Sequence, residues 1–293
     1  MSQFSSKRIV FLIYASVFLS AVFGGAGFVF MKHALAVFPT IRFIFWRFFL
    51  SVVFLFPFLA AEARKAPRHT LRDGFIAGVL FFAATLIQVQ GIARTDAGRS
   101  AFINSTSVVI VPVLQALILR RPPSWRVMAG CLMCLFGVGF LTTQKMTGQG
   151  DRGADLLVFA GTCLFACQIV VFRYAAQRSN PHVLSFVEFS TVALLALPFA
   201  LMHPMPGAHS FMGWAGIFYA ALMMNIAMIM VINNALRYVT PTAVSAIGSM
   251  QSVYGALFGA LMLGESITWQ LVLSGTIILG GILTSILASP RAP

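Results

Sequence analysis

The sequence predicts an all-α membrane protein whose ten transmembrane helices form two inverted repeats of five helices each. Its composition, ten long apolar runs and an internal repeat predict this fold class. Of the 293 residues, 59% are hydrophobic and only 9% are charged, and the mean hydropathy is +0.90. A soluble domain has roughly 25% charged residues, so this chain lacks the polar surface of a water-soluble globule. The composition also excludes disordered, collagen-like and secreted disulfide-rich chains.

Ten apolar runs have the length that a helix needs to cross a bilayer, about 20 residues. They lie at residues 9–31, 43–61, 74–93, 101–119, 127–144, 154–172, 183–202, 211–232, 243–263 and 269–288. The gaps between them are too short for a folded soluble domain. The first run follows Lys7 and Arg8, as in a signal peptide, but it is 23 residues long and lacks an Ala-x-Ala cleavage site. We therefore expect it to be retained as a helix.

The basic residues between the runs predict that both termini are cytoplasmic, since Lys and Arg are enriched in cytoplasmic loops. One side collects thirteen of them: Lys7, Arg8, Arg64, Lys65, Arg68, Arg72, Arg120, Arg121, Arg126, Arg173, Arg178, Arg237 and Arg291. The other side collects five: Lys32, Arg94, Arg99, Lys145 and Arg152. We interpret the net charge of +13 as an orientation signal for the inner membrane, and not as a sign of nucleic-acid binding.

The second half of the chain repeats polar positions of the first. With a shift of 145 residues, Gln88 matches Asn233, Ser100 matches Ser245, Asn104 matches Ser249, and Ser107 matches Ser252. The halves, 1–148 and 149–293, each carry five runs, and an odd number of spans gives them opposite orientations in the membrane. Inverted repeats are typical of secondary transporters, whose site lies near mid-membrane between the halves. We expect the matched polar faces of the fourth and ninth helices to line a common cavity.

Three motifs resemble those of the EamA transporters in the drug/metabolite transporter superfamily. They are W-R-F at 46–48, T-P-T-A-V-S-A-I at 240–247 and L-M-L-G-E at 261–265. The first repeat departs from the pattern, because two arginines at 120–121 stand where Gly-Glu would map. The resemblance covers essentially the whole chain. It implies a ten-helix metabolite transporter of the cytoplasmic membrane, often an exporter of amino acids, the aromatic ones among them.

Polar and aromatic side chains inside the runs are candidate substrate ligands, because a polar group in hydrocarbon needs a partner. The candidates are Trp46, Arg47, Gln88, Asn104, Ser107, Gln168, Glu188, Asn225, Asn233, Ser249, Gln251 and Tyr254. Hydrogen bonding between membrane helices is the alternative role for the amides and serines. The indole of Trp46 is interpreted either as a stacking surface for a flat substrate or as packing. Pro112 is expected to kink the fourth helix.

Arg47 and Glu188 are charges inside predicted spans, each costing about 2.5–3.5 kcal/mol at a helix centre. Their depths differ by about 12 Å, so we expect them to act separately and not as one ion pair. In the functional hypothesis, Arg47 holds a substrate carboxylate and Glu188 holds an ammonium group or a proton. In the alternative, Arg47 extends to the membrane surface and Glu188 bonds a neighbouring helix.

The sequence offers no catalytic, cofactor or metal motif. The histidines lack H-x-x-x-H spacing, the C-x-x-C at 131–134 lies in an apolar run, and G-x-S-x-G is absent. We therefore expect a transporter that exports small amphiphilic metabolites, amino acids first, by alternating access, with the solute and the lipid bilayer as its partners. Two alternatives stay open: export of another metabolite or toxic amphiphile such as a nucleobase, and a membrane-embedded enzyme or lipid-handling protein.

Overall fold

The structure is a computed structural model, and it describes residues 2–119, 124–142, 152–204, 209–239, 244 and 250–288. Within these ranges the regular elements are all helices. The first half contains α1 (Ser2–Leu35), α2 (Thr40–Lys65), α3 (Arg68–Ile92), α4 (Ala97–Ser105), α5 (Ser107–Leu119) and α6 (Trp125–Thr142). The second half contains α7 (Arg152–Ala176), α8 (Pro181–Met202), α9 (Phe211–Tyr219), a π-helical segment (Ala220–Ile229), α10 (Met230–Ala235), α11 (Gln251–Leu263) and α12 (Trp269–Ala288).

Seven segments of the described ranges are long and apolar enough to cross a membrane. They are Ala15–Leu35, Thr40–Lys65, Arg68–Ile92, Ala97–Leu117, Gly153–Ala176, Pro181–Met202 and Phe211–Ala235. Two shorter apolar helices are Gln251–Leu263 and Trp269–Gly281. The described part of the chain is therefore all-helical, and its long apolar helices are those of a multi-pass membrane protein. Spans at 127–144, 243–263 and 269–288 remain predictions, and much of the ninth run lies outside the described residues.

The fourth predicted run is two helices that meet at Thr106, six residues before the proline where the sequence predicts a kink. Helix α5 continues past Pro112 without a break. The backbone N–H of Thr106 bonds the carbonyl of Ile103 at 3.1 Å, and its hydroxyl donates to the same carbonyl at 2.7 Å. Threonine side chains that bond back to preceding carbonyls bend helices. A kink at Pro112 stays a prediction, and the break at Thr106 is a feature that the sequence does not predict.

The eighth predicted run contains a π-helical segment, which the sequence does not predict. The segment Ala220–Ile229 lies between α9 and α10, and the backbone N–H of Met230 bonds the carbonyl of Asn225, five residues earlier. π-Helical turns are rare and occur frequently at functional sites. This one carries Asn225, whose side chain faces α2.

The two halves of the chain pack against each other along several helices. Helix α3 lies along α7 and α8, α2 lies along α8, and α1 lies along α11. Helices α1 and α11 approach closely, because a Cβ built on Gly25 would lie 2.8 Å from the backbone nitrogen of Gly255. Small residues permit such contact between membrane helices. Between α2, α3 and α7, the ring of Phe81 lies 5.2 Å from that of Phe48 and 4.9 Å from that of Phe165.

Candidate functional site

A cavity of about 110 Å³ lies where the two halves meet. Its lining includes seven of the predicted site residues: Arg47, Gln88, Asn104, Ser107, Gln168, Asn233 and Gln251. The apolar part of the lining includes three phenylalanines and three methionines: Phe28, Phe81, Phe165, Met31, Met224 and Met228. The cavity thus combines a small number of polar groups with apolar and aromatic walls, the usual composition of a small-molecule site.

Arg47 is the one charged residue among the described residues that line the cavity. Its side chain is only 4% exposed, so it does not extend to the membrane surface as one alternative supposed. The Nε and Nη2 atoms both donate to Oδ1 of Asn225, at 2.9 and 2.6 Å. The Nη1 atom lies 3.9 Å from the thioether sulfur of Met31. Among the described residues, every polar contact of this guanidinium is made with a neutral group.

Asn225 stands behind Arg47 and does not line the cavity. Its side chain is fully buried, and its Nδ2 donates to Oγ of Ser51 at 3.0 Å. The Ser51 hydroxyl in turn faces the carbonyls of Arg47 and Ala221, at 2.8 and 3.1 Å. The π-helical segment is therefore fastened to α2 by two side chains that lie one turn apart on α2.

Glu188 also lies behind the cavity lining and is fully buried. Its Oε1 accepts a hydrogen bond from Nε2 of Gln168 at 2.5 Å, and its Oε2 accepts one from Nδ2 of Asn233 at 3.1 Å. Both amide residues line the cavity, so they separate Glu188 from it. In the described residues, no ion pair joins Arg47 to Glu188, in agreement with the sequence-based expectation.

A third polar group on the cavity wall is formed by α3, α4 and α7. The Nε2 atom of Gln88 donates to Oδ1 of Asn104 at 2.8 Å and to the hydroxyl of Thr162 at 3.3 Å. One turn before Gln88, the hydroxyl of Thr85 lines the cavity, is buried and has no hydrogen-bond partner among the described residues. Buried hydroxyls are normally hydrogen-bonded, so Thr85 offers a bond to water or a solute. The sequence analysis missed Thr85, although its i, i+3 spacing to Gln88 places both on one face of α3.

The remaining predicted site residues lie away from the cavity or outside the described residues. The indole of Trp46 packs against the ring of Trp214 at 5.3 Å and is not part of the lining. Tyr254 contacts the ring of Phe18 at 6.5 Å and is also outside the lining. Ser249 lies outside the described residues. These positions leave their proposed contacts with substrate as predictions.

A second polar cluster, which the sequence does not predict, surrounds the first turn of α4. The carboxylate of Glu265 accepts the backbone N–H groups of Ala97 and Gly98 at 2.7 and 3.0 Å, and Nζ of Lys32 lies 3.8 Å from it. An anion at a helix N-terminus is favourable because the backbone N–H groups there are otherwise unpaired. Gly264 ends α11 with φ +68°, a left-handed cap that suits glycine.

The same turn of α4 carries a buried ion pair. Arg99 and Asp155 are 5% and 3% exposed, and Nη2 lies 2.5 Å from Oδ2. The Nε atom of Arg99 contacts both carboxylate oxygens, at 3.0 and 2.9 Å, and the hydroxyl of Thr95 donates to Asp155 at 3.0 Å. Three consecutive residues of α4 are thus bonded to acids of the second half of the chain.

Cysteine accessibility tests the assignment of the cavity wall. In a background without the native cysteines, we expect Asn104→Cys and Ser107→Cys to react with a water-soluble thiol reagent, because both positions line the cavity. Ser105→Cys should stay inert, since Ser105 is fully buried and lies outside the lining. Rapid labelling at Ser105, or none at Asn104 and Ser107, would contradict the assignment.

For Ser100 the structure changes the expectation drawn from spacing. The sequence places Ser100 with Asn104 and Ser107 on one face, but Ser100 is fully buried. Its hydroxyl donates to the carbonyl of Asp96 at 2.9 Å, and it is outside the cavity lining. Ser100 lies one turn before Asn104 on the same helix, where the first turn of α4 contacts Glu265 and Asp155 and not the cavity. Ser245 and Ser249, the predicted counterparts of Ser100 and Asn104, lie outside the described residues.

Comparisons with known proteins point in one direction. The sequence model of the EamA-like transporter family matches residues 11–143 and 152–287. The chain is 26% identical over 258 residues to an uncharacterized transporter from Archaeoglobus fulgidus, a match that covers 87% of this chain and 80% of that protein. It also resembles a protein of known crystal structure, with a TM-score of 0.67 and 16% identity over 93% of this chain and 96% of the other. At that identity, the structural similarity concerns the fold alone.

Proposed function

The chain belongs to the EamA-like transporter family, and from this premise we propose that it exports small amphiphilic metabolites, amino acids first, by alternating access. The observation that carries the proposal is the cavity between the two halves. Its lining offers a guanidinium, five side-chain amides and a hydroxyl with no partner among the described residues, beside aromatic and thioether side chains. A solute with a charged head and an apolar or aromatic body would find partners for both parts there.

The proposed architecture is ten spans in two inverted repeats, residues 1–148 and 149–293. It is supported by the two separate stretches of the chain that match the family, each close to one half in extent. The excess of basic residues on one side supports an inner-membrane protein with cytoplasmic termini. In this arrangement the cavity lies near mid-membrane, as in other transporters built from inverted repeats.

Alternating access is supported by polar contacts between the halves at both ends of α3. Near its end, Arg99 pairs with Asp155, as described above. Near its start, Nη2 of Arg178 lies 2.6 Å from Oδ2 of Asp73, and the hydroxyls of Thr70 and Ser179 lie 2.9 Å apart. When the cavity opens to one side of the membrane, the polar contacts at that end break, while the contacts at the other end stay formed. Such a change between two packings is how transporters of this kind expose a fixed site to either side.

Solute counterflow in proteoliposomes tests the proposed function. Vesicles loaded with unlabelled L-phenylalanine should accumulate labelled L-phenylalanine from outside, and vesicles without the protein should not. A parallel assay with uracil examines the nucleobase alternative. Counterflow of uracil alone, or conversion of the label to a new product without accumulation, would overturn the proposal.

The orientation of the chain is tested separately with a reporter. A fluorescent protein that matures only in the cytoplasm should be bright when fused after Pro293, because the thirteen-to-five distribution of basic residues places that end inside. An enzyme that is active only in the periplasm should be inactive at the same position. The reverse pattern would overturn the orientation.

A further inference from the structure

Arg47 is a buried cation for which the described residues supply no counter-ion. Arg47 is 4% exposed, and the polar partners of its guanidinium are an amide oxygen and a thioether. A buried charge without an opposite charge costs several kcal/mol. Glu188 does not pair with it: the carboxylate of Glu188 is directed to the amides of Gln168 and Asn233. A negative charge from outside the described residues would therefore stabilise this cation.

The geometry around Asn225 fixes how that cation is presented. The Nδ2 atom of Asn225 donates to Ser51, so its Oδ1 is directed to Arg47. This single oxygen receives both Nε and Nη2, which fixes the plane of the guanidinium. The Nη1 atom is left on the side of Met31, a residue of the cavity lining. An aspartate of the same shape would neutralise the charge, whereas asparagine only orients it.

We propose that Asn225 is a positioning residue that holds Arg47 with its charge uncompensated, so that the cavity accepts solutes carrying a carboxylate or a similar monoanionic group. The substrate's anion then completes the ion pair that the protein leaves open. The inference rests on the proposed transport function, whose site it specifies. The π-helical segment serves this arrangement, because both its Asn225 side chain and its Ala221 carbonyl face Ser51 on α2.

The substitution Asn225→Asp tests the inference, because it adds an internal counter-ion with almost no change in shape. Binding to purified protein in detergent is measured for three probes. These are 3-phenylpropionate, which has only the carboxylate, L-phenylalanine, which has both charges, and L-phenylalaninamide, which lacks the carboxylate. The wild type should bind the first two at least tenfold more tightly than the third. Asn225→Asp should weaken binding of the first two about 100-fold, as expected when a charge-assisted bond is lost.

Two controls separate this effect from damage to the fold. Asn180→Asp makes the same chemical change at the exposed N-cap of α8, where aspartate is an equally good cap, and should bind the probes like the wild type. The melting temperature of Asn225→Asp should equal or exceed that of the wild type, because Arg47 gains a counter-ion. Arg47→Gln should lose the preference for the two carboxylate probes.

The outcomes are distinct for the inference and for the proposed function. Equal binding of 3-phenylpropionate to Asn225→Asp and wild type overturns the inference, as does wild-type protein that prefers L-phenylalaninamide or binds no carboxylate probe. Carboxylate-selective binding that Asn225→Asp abolishes, without counterflow in vesicles, upholds the inference and overturns transport of these solutes. Counterflow without carboxylate selectivity upholds the proposed transport function and overturns the inference.

Discussion

Replacing Arg99 by methionine is expected to lower the free energy of unfolding by about 3–5 kcal/mol, because it leaves the carboxylate of Asp155 buried without a counter-ion. The two side chains are 5% and 3% exposed, so water does not replace the lost partner. Of the described residues, Thr95 would be the remaining side-chain donor to this acid. Methionine keeps much of the aliphatic stem of arginine, so the loss measures the charge more than the packing. The measurement is an unfolding titration in mixed micelles.

Two further variants show whether burial is the cause. Arg178→Met removes a similar contact to Asp73, but the Arg178 side chain is 56% exposed. Arg72 also lies 3.3 Å from the Asp73 carboxylate, so we expect a smaller loss than for Arg99→Met. The double variant Arg99→Met/Asp155→Leu removes both charges, and should recover most of the stability that the single variant loses. If Arg99→Met lowers the free energy of unfolding no more than Arg178→Met does, water reaches the Arg99–Asp155 pair and burial is not the cause.

The helical membrane fold was predictable because it depends on composition and on apolar run length, both local properties of the chain. The position of the break in the fourth span was not. Proline is the residue associated with kinks, yet α5 continues past Pro112 and the helix breaks at Thr106. The π-helical segment has no sequence signal either, since its composition is that of the apolar helices on either side. Both features depend on packing against other helices.

The candidate site likewise has a part that was predictable from the sequence and a part that was not. Polar residues in apolar runs can be found by inspection, and Arg47, Gln88 and Asn104 do line the cavity. Their partners are 178 residues away in one case, from Arg47 to Asn225, and spacing along the chain carries no information about such contacts. The pairing of Arg99 with Asp155 was missed for a related reason. Both lie at predicted span ends, where a charge usually faces water.

Glu188→Gln is expected to remove the pH dependence of transport if the coupled ion is a proton, with little change in the size of the side chain. Glu188 is the acid that lies directly behind the cavity lining in the described residues, and its contacts with Gln168 and Asn233 are neutral. A proton taken up here would reach the carboxylate through two residues of the cavity wall. A rate that depends on one protonation changes up to tenfold per pH unit, roughly, on one side of the titration.

The transport rate in proteoliposomes, measured from about pH 5 to pH 8, should therefore not vary with pH for Glu188→Gln. Glu62→Gln is the matched control, because Glu62 is an exposed acid whose side chain contacts Asn180 at 3.3 Å. That variant should keep the wild-type profile. Glutamine has one acceptor oxygen, so one of the two amides that bond Glu188 must turn, and a modest loss of rate at all pH values is expected. If the transport rate of Glu188→Gln keeps the wild-type dependence on pH, Glu188 has a structural role in the cavity wall and another residue binds the coupled proton.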